Sequence, residues 1–457
     1  MSEKIIPVVK EREYEIEISG LGHSGEGVGK YQGFTVFVPY ALPQETVRVR
    51  IEKVKKTYAI GRLQKVLKES VNRRKPPCPV YYQCGGCQLQ HLNYVGQLNV
   101  KRDMVVAAVA RIGKLDSVPV FEVLGAADEW NYRNKMQFPI GKDGKKTLCG
   151  CYAAGSHRVI DIESCLIQRS VNDRIAQAVK QYADRFKVEV YNEESGRGVL
   201  RHVMGRSGNA TGEALAVIVT SGAVLPKEQE LVKLLREVAP ELVGIVQNIN
   251  DRQTNVVLGT ENRTLWGRDM LKESLGPLTF SVSPHSFFQV NTKQALRLYE
   301  TALEYANLSG SETVIDAYCG TGTISLFLAQ KAAKVYGFEI VEAAIRDANK
   351  NAQENDVSNA LFQVGDVVET LPKLVKSGVR PDVIVVDPPR AGCAQPVLEM
   401  FAAMQPERIV YVSCNPASLA RDLAILAEQG YKTAKIQPVD MFPQTFHVES
   451  VALLERG

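Results

Sequence analysis

Between residues 12 and 68, apolar and polar side chains alternate in short runs: Tyr14-Glu15-Ile16-Glu17-Ile18, Phe34-Thr35-Val36-Phe37-Val38, Thr46-Val47-Arg48-Val49-Arg50-Ile51 and Ala59-Ile60-Gly61-Arg62-Leu63. Gly20, Gly22, Gly25, Gly27 and Gly29, with Pro43, separate them. A period of two broken by such turns predicts a small antiparallel β-barrel over residues 1–70. From about residue 311 the pattern changes to apolar strands alternating with amphipathic helices, which predicts a parallel sheet with crossover helices. Residues 314–318, 335–339, 383–386 and 409–413 read as its strands, and 451–454 as a further one. The segment between mixes both patterns and includes a helix at about 93–113, expected to pack against the C-terminal unit. The chain therefore divides into 1–70, 71–285 and 286–457.

Composition narrows the class. The 457 residues are 45% hydrophobic and 23% charged, which excludes wholesale disorder and a membrane bundle. Met1-Ser2-Glu3-Lys4 has no basic segment leading into an apolar stretch, so no secretory signal is read and a cytoplasmic protein is expected. The net charge of +4 is unevenly distributed. Residues 48–75 hold eleven basic residues (Arg48, Arg50, Lys53, Lys55, Lys56, Arg62, Lys65, Lys68, Arg73, Arg74 and Lys75) against Glu52 and Glu69. These 28 residues carry +9, leaving −5 for the rest. A local excess of this size is the footprint of a polyanion-binding module, the plainer alternative being a solvated basic face. A five-stranded barrel suits the first, because one sheet face and its loops track a phosphate backbone.

Nine cysteines exceed what packing needs. Cys78, Cys84 and Cys87 form C-x5-C-x2-C, with Gly85 and Gly86 letting the chain turn tightly. Three close thiolates need a fourth ligand, for which Cys149, Cys151 and Cys165 are candidates. Soft sulfur ligands suit zinc or an iron-sulfur cluster. Only one CxxC-type knuckle is present, which leans towards a cluster, and a disulfide is disfavoured in a cytosolic chain.

The C-terminal unit carries candidate chemistry at its strand ends. Cys319-Gly320-Thr321-Gly322-Thr323 is a glycine-rich turn opening a helix, and Glu339 ends the next strand. A backbone turn followed by a carboxylate is how such sheets hold an adenosine, the carboxylate accepting from the ribose hydroxyls. Ser325 stands where G-x-G-x-x-G needs its third glycine and no pyrophosphate site is evident, so S-adenosylmethionine fits better than a nicotinamide dinucleotide. Asp387-Pro388-Pro389-Arg390 and Ser413-Cys414-Asn415-Pro416 follow two further strands, so Asp387 and Cys414 should face one cleft. A strand-end cysteine can be a small buried residue, but Asn415-Pro416 implies a turn that exposes the thiol as a nucleophile. Glu449 lies where the chain returns to the same sheet edge.

Together these motifs resemble the RumA-type RNA (uracil-5-)-methyltransferases. The resemblance rests on a barrel similar to a TRAM domain (Gly25-Glu26-Gly27-Val28-Gly29 and Phe37-Val38-Pro39), the cysteine spacing, Phe287-Phe288-Gln289-Val290-Asn291, Asp387-Pro388-Pro389-Arg390, Ser413-Cys414-Asn415-Pro416 and His447-Val448-Glu449-Ser450. It implies an α/β protein with an N-terminal OB-like TRAM barrel, a central α+β domain with an iron-sulfur site and a C-terminal Rossmann-like class I methyltransferase domain. It further implies methyl transfer from S-adenosyl-L-methionine to carbon 5 of uridine in 23S ribosomal RNA, with Cys414 as nucleophile and Glu449 as base. By the same resemblance Gln289, Tyr318, Gly320, Glu339, Asp366 and Asp387 hold the methyl donor, and Cys78, Cys84, Cys87 and Cys165 hold a [4Fe-4S] cluster. Phe287 would stack beside the target base, with one of Phe287 and Phe288 serving as core. A monomer whose partner is RNA is expected. The same chemistry on transfer RNA is the nearest alternative. A non-catalytic RNA chaperone would explain the barrel but leave Cys414 and Glu449 idle.

Overall fold

In the computed structural model, which describes residues 6–457, the N-terminal alternation closes into a barrel. Its strands are β1 (Glu13–Leu21), β2 (Gly27–Tyr31), β3 (Phe34–Val38), β4 (Thr46–Val54) and β5 (Tyr58–Lys68), in the order β1-β2-β3-β5-β4, with β4 returning to pair with β1. Ile16, Ile18, Val36, Val38, Val47 and Val49 fill it. Residues Gly27 and Gly29, expected in turns, instead build β2. In so narrow a barrel their positions have no room for a side chain: a Cβ on Gly29 would overlap Ile16, and one on Gly27 would meet the Ala41 carbonyl at 2.7 Å. Met1-Ser2-Glu3-Lys4, read above for a leader, lies outside the described residues.

A long connection carrying Cys78, Cys84 and Cys87 leads into α1 (Tyr94–Arg111), whose N-cap Asn93 accepts the Gly96 N–H at 2.8 Å. The central sheet contains β6 (Lys135–Asp143), β7 (Lys146–Tyr152), β8 (Val159–Asp161), β9 (Leu200–Ser207), β10 (Ala214–Thr220), β11 (Leu242–Ile249) and β12 (Glu261–Gly267). Their order is β12-β11-β10-β9-β6-β7-β8. Helices α2 (Ser170–Phe186) and α3 (Glu228–Val238) cover it through Ile175, Val179, Leu231 and Leu235. The hairpin β13 (Leu271–Leu275) and β14 (Leu278–Val282) follows, then α4 (Thr292–Ala306).

The C-terminal sheet comprises β15 (Thr313–Asp316), β16 (Lys334–Glu339), β17 (Ala360–Val364), β18 (Val383–Val386), β19 (Arg408–Ser413), β20 (Tyr431–Val439) and β21 (Glu449–Arg456). The order is β17-β16-β15-β18-β19-β21-β20, and β21 alone runs against its neighbours. Continuous apolar runs make both faces core: Val383 and Val385 point into one cluster, Ile384 and Val386 into the other. Helices α5 (Thr323–Ala329), α6 (Glu342–Glu354), α7 (Val367–Lys376), α8 (Gln395–Ala403) and α9 (Pro416–Glu428) complete the layers. From the N-terminal half, α1 joins this core with Val105 and Val109 beside Leu419 and Leu423. Among the described residues no helix is long and apolar enough to cross a membrane.

Candidate active site

The carboxyl ends of the parallel strands open on a cleft of about 860 Å³. Strand direction explains how distant residues meet there. Because β21 is antiparallel, its first residue lies at the edge where β19 ends, and the Ser413↔Ser450 register sets Cys414 beside Glu449. Asp387 follows β18 on the same edge and lines the cleft with them. The turn after β19 is held by Asn415, which caps α9 through Ala417 N–H (3.0 Å) and donates to the Arg390 carbonyl (3.0 Å). That turn leaves Cys414 partly exposed, whereas Glu449 is buried.

The electrostatics of this edge are dominated by crowded acids in a dry wall. Burial, then the Asp387 charge, pushes the Glu449 carboxyl up to about 8, against the pull of Arg390. Burial and then Asp316 raise Asp387 to about 7. The Cys414 thiol is pushed up to about 11 by burial, Glu449 and Asp387, again opposed by Arg390. His447, stacked on Phe446 with ring centroids 4.1 Å apart, is driven down to about 4 by burial and then Arg390, so it is neutral at physiological pH.

Gln289, Tyr318, Gly320, Glu339 and Asp387 line this same cleft. Asp366 does not; it is exposed and caps α7, accepting the Val368 N–H at 2.8 Å. Gly320 and Gly322 have positive φ of 53° and 80°, which the tight turn between β15 and α5 requires. A Cβ at Gly322 would also meet the Phe362 ring at 2.9 Å. The segment bearing Gln289 is anchored from the central sheet: Asn134 donates to its carbonyl (2.9 Å), and buried Arg206 donates to the carbonyls of Pro284 (3.2 Å) and Ser286 (2.6 Å). Its two aromatics part company. Phe288 is buried against Phe280, while Phe287 is 62% exposed at the cleft.

The opposite wall carries sulfur. Cys78, Cys84, Cys87, Cys151 and Cys165 all line the cleft, whereas Cys149 is buried in the central core. The Cys151 thiol and the Gly86 N–H (3.3 Å) both donate to the Cys84 sulfur and hold its thiol below the usual range, while Cys151 is raised. Burial pushes Cys87 and Cys165 up to about 12. Among the described residues no three His, Cys, Asp or Glu side chains are arranged to hold a single metal ion. The four expected ligands thus share a wall, but among the described residues their side chains are not gathered into a metal-binding group.

Gln444 joins the two walls. It is buried, has a left-handed φ of 71°, and lies in the strap leading to Glu449. Its carbonyl accepts from the N–H groups of Gln88 (3.0 Å) and Leu89 (2.9 Å), which directly follow Cys87. Its side-chain oxygen accepts from Arg74 (3.0 Å) and Gln97 (3.0 Å). Four residues earlier, Asp440 receives the buried Lys101 ammonium at 2.5 Å and the Tyr94 hydroxyl at 2.8 Å, which pins the strap to α1. Neither Gln444 nor Arg390 stood out as a functional residue in the sequence. Arg390 enters the sequence reading only as the last residue of Asp387-Pro388-Pro389-Arg390.

A thiol and a carboxyl at adjacent strand ends, beside a glycine turn and a strand-end glutamate in a β17-β16-β15-β18-β19-β21-β20 sheet, define a methyltransferase of the S-adenosylmethionine-dependent class. The family model of tRNA (uracil-5-)-methyltransferases matches residues 250–457, and that of the TRAM domain residues 8–63. Over its whole length the chain is similar to proteins described as RNA methyltransferases. It is 51% identical to one from Clostridium tetani, over 99% of this chain and 98% of that protein, and 48% identical to one from Halalkalibacterium halodurans, over 100% and 99%. Among solved structures it superposes with a TM-score of 0.78, at 30% identity and over 96% of this chain and 100% of the other, on the Pyrococcus abyssi tRNA (uracil-54, C5)-methyltransferase in complex with S-adenosyl-L-homocysteine. The chain belongs to the RNA uracil-5-methyltransferase family and is an RNA methyltransferase.

Proposed function

We propose that the protein methylates carbon 5 of an unpaired uridine in RNA, with Cys414 as nucleophile and Glu449 as general base. The observation that carries this reading is the Ser413↔Ser450 register, which sets the thiol beside the carboxyl in one cleft. Carbon 5 of uracil is a poor nucleophile. Cys414 adds through sulfur to carbon 6, and the ring electrons move to make carbon 5 enolate-like. S-adenosyl-L-methionine supplies an electrophilic methyl group on a sulfonium. Once carbon 5 carries that methyl, Glu449 removes its proton, the double bond reforms and the Cys414 thiolate is expelled.

The acid-rich edge supports a cationic methyl donor. Asp387, Glu449 and Cys414 are held towards their neutral forms by burial first and then by neighbouring carboxyls (Asp316 on Asp387, Asp387 on Glu449, Glu449 and Asp387 on Cys414). A sulfonium cation placed among them favours the thiolate and the carboxylate that the reaction uses. Gln289, Tyr318, Gly320, Glu339 and Asp387 would bind it, with Asp366 beyond the cleft lining. Ile340, 64% exposed, offers an apolar surface to adenine. Phe287 offers its face to the target base, where stacking contributes roughly 1–3 kcal/mol towards the few kcal/mol of extruding a nucleotide.

For the sulfur wall we infer that Cys78, Cys84, Cys87 and Cys165 hold a [4Fe-4S] cluster. Four soft thiols lining one wall are what supports this reading. Methyl transfer is polar, so the cluster would order the loop rather than exchange electrons. For the substrate we propose 23S ribosomal RNA, in the cytoplasm and with the protein as a monomer. Transfer RNA is the second reading, favoured by the Pyrococcus abyssi neighbour, which matches along its full length.

The deciding experiment maps 5-methyluridine in ribosomal and transfer RNA from cells with and without the protein. Loss at a ribosomal site is expected, and loss in transfer RNA alone moves the assignment to the second reading. No loss in either would leave a non-catalytic RNA binder. Alongside it, Glu449→Gln should accumulate a covalent RNA adduct stable to denaturing gels; no adduct, even with 5-fluorouridine RNA, would remove Glu449 as the base.

A further inference from the structure

The loop that follows β18 carries Asp387 and Arg390 into the cleft and then turns away, with Ala391 and Gly392 outside the lining. The Arg390 side chain is exposed, so the backbone beneath it decides where its charge can sit. We propose that Arg421, itself fixed by Asp422, is a positioning residue that holds Arg390 beside Cys414 and Glu449. The proposal rests on the reading of Cys414 as nucleophile.

The hold is built entirely from α9, the helix that opens directly after Cys414. Its N-cap Asn415 takes the Arg390 carbonyl, and further along the same helix the Arg421 guanidinium donates to the carbonyls of Ala391 (2.9 Å) and Cys393 (3.1 Å). Asp422 completes the clamp. One of its oxygens accepts from Arg421 at 2.7 Å, and the other accepts the Cys393 N–H at 2.8 Å and the Tyr411 hydroxyl at 2.5 Å. Tyr411 lies on β19, three residues before Cys414. Loop, strand and helix therefore meet on one fully buried carboxylate outside the cleft, while Arg421 itself stays 47% exposed. Gly392 fits the clamp closely: its φ is 77°, and a Cβ there would lie 2.5 Å from the Asp422 carboxylate and 2.6 Å from the Arg421 guanidinium.

Placement matters because Cys414 is faced by the carboxyls of Glu449 and Asp387 and by the Arg390 guanidinium, of which only Arg390 favours the thiolate. That attraction falls with distance, and an exposed arginine on a loosened backbone spreads over many rotamers. Asp387 follows β18 directly and keeps its place through the Val386↔Tyr411 register. Loss of the clamp thus removes the cation's share of the field and leaves the carboxyls' share in place.

The test is the rate at which iodoacetamide alkylates Cys414 in the full-length protein, read by mass spectrometry on its peptide, without RNA or methyl donor. At about pH 8, Arg421→Ala should slow alkylation by about threefold, and Arg421→Lys, which keeps the charge but not the fork, by less. In an Arg390→Ala background Arg421→Ala should slow it no further, because no guanidinium is left to misplace. Equal slowing in both backgrounds would reduce Arg421 to a support of the fold, and no slowing in the otherwise wild-type protein would also overturn the proposal. Should thermal unfolding show that Arg421→Ala is not folded, Arg421→Lys carries the same comparison between backgrounds. Alkylation needs no catalysis, so methyl transfer by Cys414→Ala would remove the nucleophile reading and leave the placement of Arg390 to be decided by these rates.

Discussion

The two walls of the cleft are built by opposite means. One is a sheet edge, where Asp387, Cys414 and Glu449 hold their positions because strand register leaves them no choice. The other is loop, where Cys78, Cys84 and Cys87 depend on glycines, a β-bridge and borrowed hydrogen bonds. Their thiols differ accordingly. Cys414 faces carboxyls and is pushed up to about 11, while Cys84 faces N–H and S–H donors and is lowered. A thiol on the sheet edge is thus kept protonated until positive charge arrives, which confines its reactivity to the loaded site. On the loop wall Cys84 alone is lowered, while burial raises Cys78 and Cys87.

The sharpest way to break this comparison is at the sheet edge. Cys414→Ala should lower methyl transfer by at least about 10³-fold, on the order of 4 kcal/mol of transition-state stabilisation, while RNA binding by filter assay is unchanged. Retained activity would mean that register alone does not define a nucleophile. A smaller effect probes the field. Both reactive groups must be anionic and both are raised, so kcat/KM of the free enzyme should climb steeply up to about pH 8, where Glu449 ionises, and less steeply on towards about 11, where Cys414 does. Arg390 favours both anions, so Arg390→Ala should move the climb to higher pH and cost about tenfold or less at pH 7. Asp387→Asn should move it to lower pH, though with weaker cofactor binding. Shifts in the same direction would refute the electrostatic account.

These differences also decide what the sequence discloses. Strand ends were legible, since an apolar run ending in Asp387, in Cys414 or opening at Glu449 places each side chain on one edge by topology alone. The aromatic pair resolved as expected into one core ring, Phe288, and one exposed ring, Phe287. Strand β2 was not legible, because Gly27 and Gly29 signal turns locally and only closure of the barrel makes them obligatory in a strand. Strand β20 was also missed: with Pro438 in it, it lies at the sheet edge, where a missing N–H is tolerated. Asp366 is expected at the methyl donor through the family resemblance alone, and its side chain caps α7. Gln444 carries no sequence signal at all. Its importance comes from contacts with residues some 350 positions earlier in the chain, such as Gln97.

Gln444 is where the walls can be uncoupled. Gln444→Ala removes side-chain hydrogen bonds to Arg74, Gln97 and Glu129, of which Gln97 is buried. With each bond contributing about 1 kcal/mol and unpaired groups adding to the loss, unfolding free energy should fall by about 2–4 kcal/mol in urea titrations. Rotating the strap should also lower kcat more than it raises KM. An unchanged kcat at reduced stability would mean that the strap only supports the fold.

The smallest expected effect lies farthest from the cleft, on the barrel. Of the eleven basic residues in 48–75, five are already engaged: Arg48 with Glu15 at 3.0 Å, Arg50 with Glu11, Arg62 with Glu52 at 3.7 Å, Arg73 with Glu45 at 2.5 Å and Arg74 with Glu129 at 3.5 Å. Among the described residues Lys53, Lys55, Lys56, Lys65, Lys68 and Lys75 are exposed and have no carboxylate partner. If those six meet phosphates of unpaired RNA, the log-log salt slope of binding should be about −4, at roughly −0.7 per contact. Replacing Lys53, Lys55 and Lys56, around the turn between β4 and β5, with alanine should flatten that slope by about 2 and leave cofactor affinity unchanged. Because such contacts carry little sequence information, binding should weaken equally on cognate and scrambled RNA. A slope that does not move would return the patch to a solvated face and leave the two walls of the cleft, not the barrel, as the whole of the RNA site.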